Sequence, residues 1–84
     1  MKFVYLLRSI PQPAETYVGL TANLDQRLVD HNAGQSPHTS KHKPWNCEVA
    51  IRFVDDERAA DFERYLKSGS GRTFAKRHFW QCPP

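Results

Sequence analysis

The sequence predicts an α+β fold, a three-stranded antiparallel sheet flanked by helices in the order β-β-α-β-α-α. Two strand-like runs near the start are separated by a short loop, which favours an antiparallel hairpin. A third run with alternating apolar residues follows the first helical segment, and two further helical segments follow that run. With 84 residues, the chain can form one small domain with a thin hydrophobic core.

The first two strands are predicted over residues 2–8 and residues 16–20. The first run is apolar on both faces, which is typical of a strand at the centre of a sheet. Pro11 and Pro13 cannot donate to a strand ladder, so they mark the loop between the two runs. Gly19 admits either a close backbone approach or a bend near the end of the second strand.

The first helix is predicted to begin at Asn23. Gln26 stands three residues later, at the spacing of a capping box. Gly34 marks the end of the helix, and a loop rich in serine, proline, histidine and lysine continues to residue 46. One face of this helix carries Leu24, Leu28 and His31.

A third strand is predicted over residues 47–54, and Asp55 then caps a second helix. Gly69 and Gly71 are interpreted as the end of that helix. A short basic third helix is predicted over residues 71–79. The apolar stripe of the second helix consists of Ala59, Phe62 and Leu66.

Residues 1–80 are predicted to form a single domain and residues 81–84 a short C-terminal tail. No run approaches the roughly 18 apolar residues that a membrane span needs, and the start does not show the pattern of a signal peptide. Cys47 and Cys82 do not make a disulfide framework, so we expect a reduced, cytoplasmic setting. A monomer without membrane contact is expected.

The net charge of +3 is unevenly distributed along the chain. Acid-free stretches of this kind are typical of a phosphate-facing surface, although a solvated basic face is the simpler alternative. One such stretch, between His31 and Cys47, carries Lys41 and Lys43. The other follows Glu63 and carries Arg64, Lys67, Arg72, Lys76 and Arg77.

Glu63 falls inside the apolar stripe of the second predicted helix. A carboxylate is rarely buried without a partner, because removing it from water costs several kcal/mol. The side chain can reach the edge of the stripe, form a structural salt bridge with an arginine, or hold a divalent metal through oxygen. Its position in the sequence does not separate these three alternatives.

Two tyrosines, Tyr5 and Tyr17, lie in the first two strands, and Arg27 and His31 lie one turn apart on the first helix. Each has an ordinary structural interpretation, as a core aromatic, a surface arginine or a satisfied core histidine. Together they provide two phenols, a guanidinium and an imidazole. Hydrolysis of a phosphodiester calls for groups of this kind.

In sequence order these residues resemble the GIY-YIG nuclease domain family. The two motifs stand as Phe3-Val4-Tyr5 and Tyr17-Val18-Gly19, and Arg27, His31 and Glu63 follow in the family's order. The order and rough spacing of the motifs resemble those of the small, stand-alone bacterial branch, which is similar to the N-terminal domain of the excision-repair incision subunit. The chain departs from the pattern in having Phe-Val where the family name implies Gly-Ile.

The resemblance implies a metal-dependent DNA endonuclease that acts in DNA repair or recombination, with a protein partner that supplies targeting. Glu63 is then expected to bind one Mg²⁺ or Mn²⁺ ion, and Arg27 to hold the phosphate oxygens. Tyr5 or Tyr17 is expected to orient or deprotonate the attacking water, and His31 to share or relay its proton. The basic residues given above are the expected nucleic-acid contacts.

Two other classes of function remain open from the sequence. The first is a nucleic-acid-binding module that keeps the fold without cleaving. The second is a small zinc-binding module built from histidines and cysteines, which no Cys-x-x-Cys pair supports. Its candidate ligands are His38, His42, Cys47 and Cys82.

Overall fold

The computed structural model describes residues 1–80 and contains one three-stranded antiparallel sheet in the order β2-β1-β3. The predicted fold class and the predicted order of elements are confirmed, and the predicted tail at residues 81–84 lies outside the described residues. The strands are β1 (Lys2–Ser9), β2 (Thr16–Thr21) and β3 (Trp45–Phe53), and the helices are α1 (Leu24–Asn32), α2 (Asp56–Lys67) and α3 (Gly69–His78).

The central strand β1 supplies a small core on each face of the sheet. Val4 and Leu6 point to one face and Tyr5 and Leu7 to the other, because successive side chains of a strand alternate. The first pair packs against α2 and α3, through Ala59, Leu66 and Ala75. The second pair packs against Trp45, Tyr17, Leu24 and Leu28, so α1 lies on the opposite face from α2.

The first helix begins and ends as its sequence predicts. The Asn23 side chain accepts a hydrogen bond from the Gln26 backbone N–H at 3.1 Å. The Gln26 side chain bonds to Asp30 instead of returning to the cap, so half of the capping box forms. Gly34 has φ of 80°, the left-handed geometry that favours glycine after a helix.

The third strand begins two residues earlier than predicted. Trp45 pairs with Ser9, so β1 and β3 each continue past the predicted ends. The strand ends at Phe53, one residue before the predicted end, and Val54 is 80% exposed. The Ser-, Pro-, His- and Lys-rich segment before β3 contains a single turn of 3-10 helix, Ser40–His42.

The two glycines after α2 begin a helix instead of ending one, which corrects the predicted boundary. Ser68 closes α2 and also caps α3, where its hydroxyl accepts from the Gly71 backbone N–H at 3.2 Å. Both Gly69 and Gly71 therefore lie in the first turn of α3. A Cβ on Gly71 would overlap the Tyr65 carbonyl oxygen, so the glycine allows α3 to pack closely against the end of α2.

None of the helices in residues 1–80 has both the length and the apolar character needed to cross a membrane.

Candidate active site

Tyr5 and Tyr17 lie side by side on the face of the sheet that α1 covers. Their ring centroids are 6.3 Å apart. Tyr5 is 1% exposed, whereas Tyr17, on the edge strand β2, is only half-buried. The two phenols therefore differ in their access to water, although the sequence presents them as equivalent.

Gly19 lies directly opposite Tyr5 in the ladder between β1 and β2. A Cβ at this position would overlap the phenol end of the Tyr5 ring. The ladder continues without a register shift through this pair. The glycine therefore serves a close approach of the Tyr5 side chain and does not mark a bend.

Helix α1 places the buried His31 ring between the two phenols and the loop that follows the helix. The Tyr5 hydroxyl and His31 Nε2 are 2.8 Å apart. On the other side of the ring, His31 Nδ1 lies 2.7 Å from the Thr39 hydroxyl. The Tyr17 ring meets the imidazole edge-on, with centroids 5.1 Å apart. Tyr5, His31 and Thr39 thus form a continuous buried hydrogen-bonded chain.

Arg27 faces both phenol groups from one turn earlier on α1. Its interactions with Tyr5, and more weakly with Tyr17, raise the pKa of the guanidinium. Burial raises the pKa of the Tyr5 phenol, and the hydrogen bond from Arg27 opposes that change without cancelling it. Tyr5 therefore stays protonated at neutral pH, and its proton is available to a hydrogen bond.

Both ring nitrogens of His31 have a hydroxyl partner, and the ring is uncharged. Burial, and then the charge of Arg27, lower the pKa of the imidazole, with a smaller opposing effect from Asp30. The ring is therefore neutral at pH 7. A neutral imidazole donates through one nitrogen and accepts through the other, and a hydroxyl can do either, so the neutral ring satisfies both of its hydroxyl partners.

Thr39 completes the chain and was not predicted as a site residue. It is fully buried, and its carbonyl oxygen accepts from the indole N–H of Trp45 at 2.9 Å. The Asn32 side chain holds the far end of the same loop, accepting from the Trp45 backbone N–H at 2.6 Å. The loop after α1 is thereby fixed with its threonine against His31.

Glu63 lies on α2, which packs on the other face of the sheet. Its side chain is 15% exposed and pairs with the Lys67 ammonium at 2.5 Å. The carboxylate is thus shielded, as its place in the apolar stripe predicts. Its salt-bridge partner is a lysine one turn later and not an arginine. Lys67 in turn lines a cavity at the edge of β2 that Tyr17 also lines.

The model of the GIY-YIG catalytic domain family matches residues 1–77 of the chain. The chain belongs to the GIY-YIG family. The resemblance that the motifs carry is therefore confirmed at the level of the family. Membership of the bacterial branch stays a prediction.

Two curated relatives of this GIY-YIG domain are fungal proteins, each named structure-specific endonuclease subunit SLX1. The proteins of Candida dubliniensis and Debaryomyces hansenii are each 37% identical to it in alignments 71 residues long, and each alignment covers 76% of the chain. The matched region is 25% of the Candida protein and 20% of the Debaryomyces protein. The GIY-YIG domain thus spans a quarter or less of the length of these relatives.

The predicted nucleic-acid contacts of the GIY-YIG domain fall into different environments. Lys41 and Lys43 are exposed, on and just after the 3-10 turn. Arg64 is exposed and forms an ion pair with Asp61. The remaining four are exposed residues of α2 and α3, of which Lys67, Arg72 and Lys76 line the cavity at the edge of β2 and Arg77 does not.

Within residues 1–80 of the GIY-YIG domain, no three histidine, cysteine, aspartate or glutamate side chains gather closely enough to hold a metal. His38, His42 and Cys47 therefore do not assemble a zinc site, and Cys82 lies outside the described residues. Any ion held by Glu63 therefore has fewer than three such side chains as ligands among the described residues.

Proposed function

We propose that this GIY-YIG domain is a divalent-metal-dependent DNA endonuclease that hydrolyses a phosphodiester bond at the open edge of β2. The observation that carries the proposal is the arrangement of Arg27 against two phenols, one of which is fixed by the buried chain from Tyr5 through His31 to Thr39. Ordinary packing does not require a buried hydrogen-bonded chain that ends beside a cation and a half-exposed phenol.

Tyr17 is the phenol that we assign to the attacking water. Its side chain is half-buried and lines the cavity at the strand edge, whereas Tyr5 is buried and its hydroxyl is hydrogen-bonded to His31. The Tyr17 oxygen accepts a hydrogen bond from the attacking water and so orients it toward the phosphate. Tyr5 and His31 act as positioning residues that hold Arg27 and the Tyr17 ring in place.

Arg27 is assigned to the phosphate. A guanidinium presents several donors in one plane, which suits two oxygens of a phosphodiester. Its half-buried position strengthens its interaction with the charge that builds in the transition state.

Glu63 fits a single Mg²⁺ or Mn²⁺ ion. Magnesium commonly binds one or two carboxylates and completes its shell with water and substrate phosphates, so one shielded carboxylate is a sufficient protein ligand. One Glu63 oxygen pairs with Lys67, and the carboxylate retains lone pairs for a cation. A bound ion supplies Lewis-acid polarisation of the scissile phosphate and stabilisation of the leaving oxygen.

The names of the two relatives support a narrower proposal for substrate and assembly. Each is named a subunit of a structure-specific endonuclease. We propose that this domain acts on branched DNA during repair or recombination and that a protein partner supplies targeting. A cytoplasmic location and a monomeric state of the isolated domain stay predictions.

A cleavage assay with a matched pair of variants tests the proposal. Wild-type protein should cut plasmid or branched DNA with Mg²⁺ or Mn²⁺ and not with a chelator. Glu63→Gln should lower the rate at least about a hundredfold, because an ion is worth several kcal/mol in the transition state. Glu57→Gln, an exposed carboxylate on the same helix, should leave the rate unchanged. Folded wild-type protein that binds DNA but cuts none would favour the non-cleaving binding module.

A further inference from the structure

A cavity of about 770 Å³ opens at the edge of β2, between that strand and α3. We refer to it as the strand-edge cavity. Tyr17 connects it to the candidate active site, and it extends from there along α3 to the last described residue. Its cationic and aromatic lining residues are Arg8, Tyr17, Lys67, Arg72, Lys76 and Trp80.

The charge of the strand-edge cavity is one-sided. Four lining side chains are cationic, and none of the described lining residues is acidic. Arg8 is held by Glu48 and Lys67 by Glu63. Arg72 and Lys76 enter no ion pair within residues 1–80. Because they stand four residues apart on α3, they project side by side toward the same space.

An aromatic surface lies at the far end of the cavity. The Arg8 guanidinium sits 5.3 Å from the centroid of the Trp80 ring. This is a cation–π contact, and nucleobases stack on aromatic rings and guanidinium planes regardless of sequence. A basic wall followed by an aromatic platform is the arrangement that proteins use for single-stranded nucleic acid.

The size of the cavity favours one strand over two. Sites that enclose small molecules have volumes of roughly 300–1,000 Å³, and this cavity lies in that range. It can enclose one or two unpaired nucleotides, whereas a base-paired duplex can only lie across its mouth. We infer that the strand-edge cavity binds the unpaired strand that leads away from the scissile phosphate, with its phosphates on Arg72 and Lys76 and a base against Trp80. This inference rests on the proposed endonuclease function.

Two double variants of equal charge test the inference. Arg72→Ala with Lys76→Ala removes two cations that line the cavity. Arg52→Ala with Arg58→Ala removes two exposed cations of β3 and α2 that do not line it. Fluorescence anisotropy with a labelled oligothymidylate, in chelator and at fixed salt, measures binding without cleavage. A blunt duplex of the same length is the second probe.

The cavity variant should bind the oligothymidylate at least about tenfold more weakly than wild type, and the control variant no more than about threefold. The cavity variant should lose less affinity for the duplex than for the single strand. Trp80→Leu, which keeps an apolar side chain, should weaken single-strand binding about fivefold or more through lost stacking. Circular dichroism tests whether each variant is folded. If the Trp80 variant is unfolded, the comparison of the two double variants tests the inference without it.

Equal losses for the two double variants would overturn the inference, because binding would then follow total charge alone. Equal losses on single-stranded and duplex DNA would overturn it as well. If the wild type cuts DNA but the two double variants bind equally well, the inference about the cavity is wrong and the proposed endonuclease function stands. If the wild type binds through the cavity but cuts no DNA with Mg²⁺ or Mn²⁺, the proposed catalysis is wrong and the inference about the cavity stands.

Discussion

Gly19 stands opposite Tyr5 across the β1–β2 ladder, and the Tyr5 phenol occupies the space that a side chain at position 19 would need. This relationship ties the glycine of the second motif to the tyrosine of the first. The glycine keeps the edge strand close to the ring, and the ring keeps its hydroxyl within 2.8 Å of His31.

Gly19→Ala should therefore lower both stability and activity. Overpacking a filled site costs roughly 1–3 kcal/mol in the free energy of unfolding, and displacement of the Tyr5 ring breaks its bond to His31. Urea denaturation measures the first effect. Gly69→Ala is the matched control, because nothing lies near its added methyl group, and it should be neutral or stabilising by about 0.4–1 kcal/mol. Equal stability of the two variants would contradict the close-approach role of Gly19.

Thr39→Val should destabilise the domain by about 1–3 kcal/mol, because it leaves the buried His31 Nδ1 without a partner while keeping the side-chain shape. Thr39→Ser, which retains the hydroxyl, should recover most of that loss. Cleavage should follow the same order, and the pH profile of cleavage should change with valine and be restored with serine. If valine and serine behave alike in both measurements, the hydroxyl does not position the imidazole.

Lowering the pH should weaken the fold through His31. Burial and Arg27 lower the pKa of His31 below its ordinary value of about 6.5. Below that value the unfolded chain binds more protons at this residue than the folded chain, so stability falls as the pH falls from about 6.5 toward the lower folded pKa. Cleavage should decline over the same range, because a protonated ring donates from both nitrogens and no longer fits the hydrogen-bonded chain from Tyr5 to Thr39.

Urea denaturation at several pH values between about 5 and 8 measures this dependence. His31→Gln should reduce the slope of stability against pH in that range. His38→Gln, at an exposed position, should retain the wild-type slope. A wild-type protein that gains stability as the pH falls below about 6.5 would show that the folded state favours the charged imidazole.

Much of the fold follows from local rules that the sequence displays. Residues 2–8 are apolar on both faces, and β1 is indeed the central strand. Asn23 and Asp55 cap the first two helices because their side chains are suited to the first free N–H groups. The position of His31 on an apolar helix face likewise predicts its burial.

The parts that were missed depend on contacts between segments. Thr39 reaches His31 from a loop that is held by hydrogen bonds between Asn32 and Trp45, and the periodicity of the sequence does not predict that geometry. The sequence predicts that Gly69 ends the second helix, yet the Ser68 cap starts a new helix there. The pairing of Glu63 with Lys67 was visible in principle, since a glutamate four residues before a lysine on a helix is a favourable pair.

The most direct test of the central claim is the single-turnover cleavage rate of Tyr17→Phe with Mg²⁺ or Mn²⁺, at a temperature where it and the wild type are equally folded. If Tyr17 handles the attacking water, loss of its hydroxyl should lower the rate about a hundredfold or more, while oligonucleotide binding stays near that of the wild type. A Tyr17→Phe protein that cleaves as fast as the wild type would contradict the assignment of the strand-edge phenol as the catalytic group.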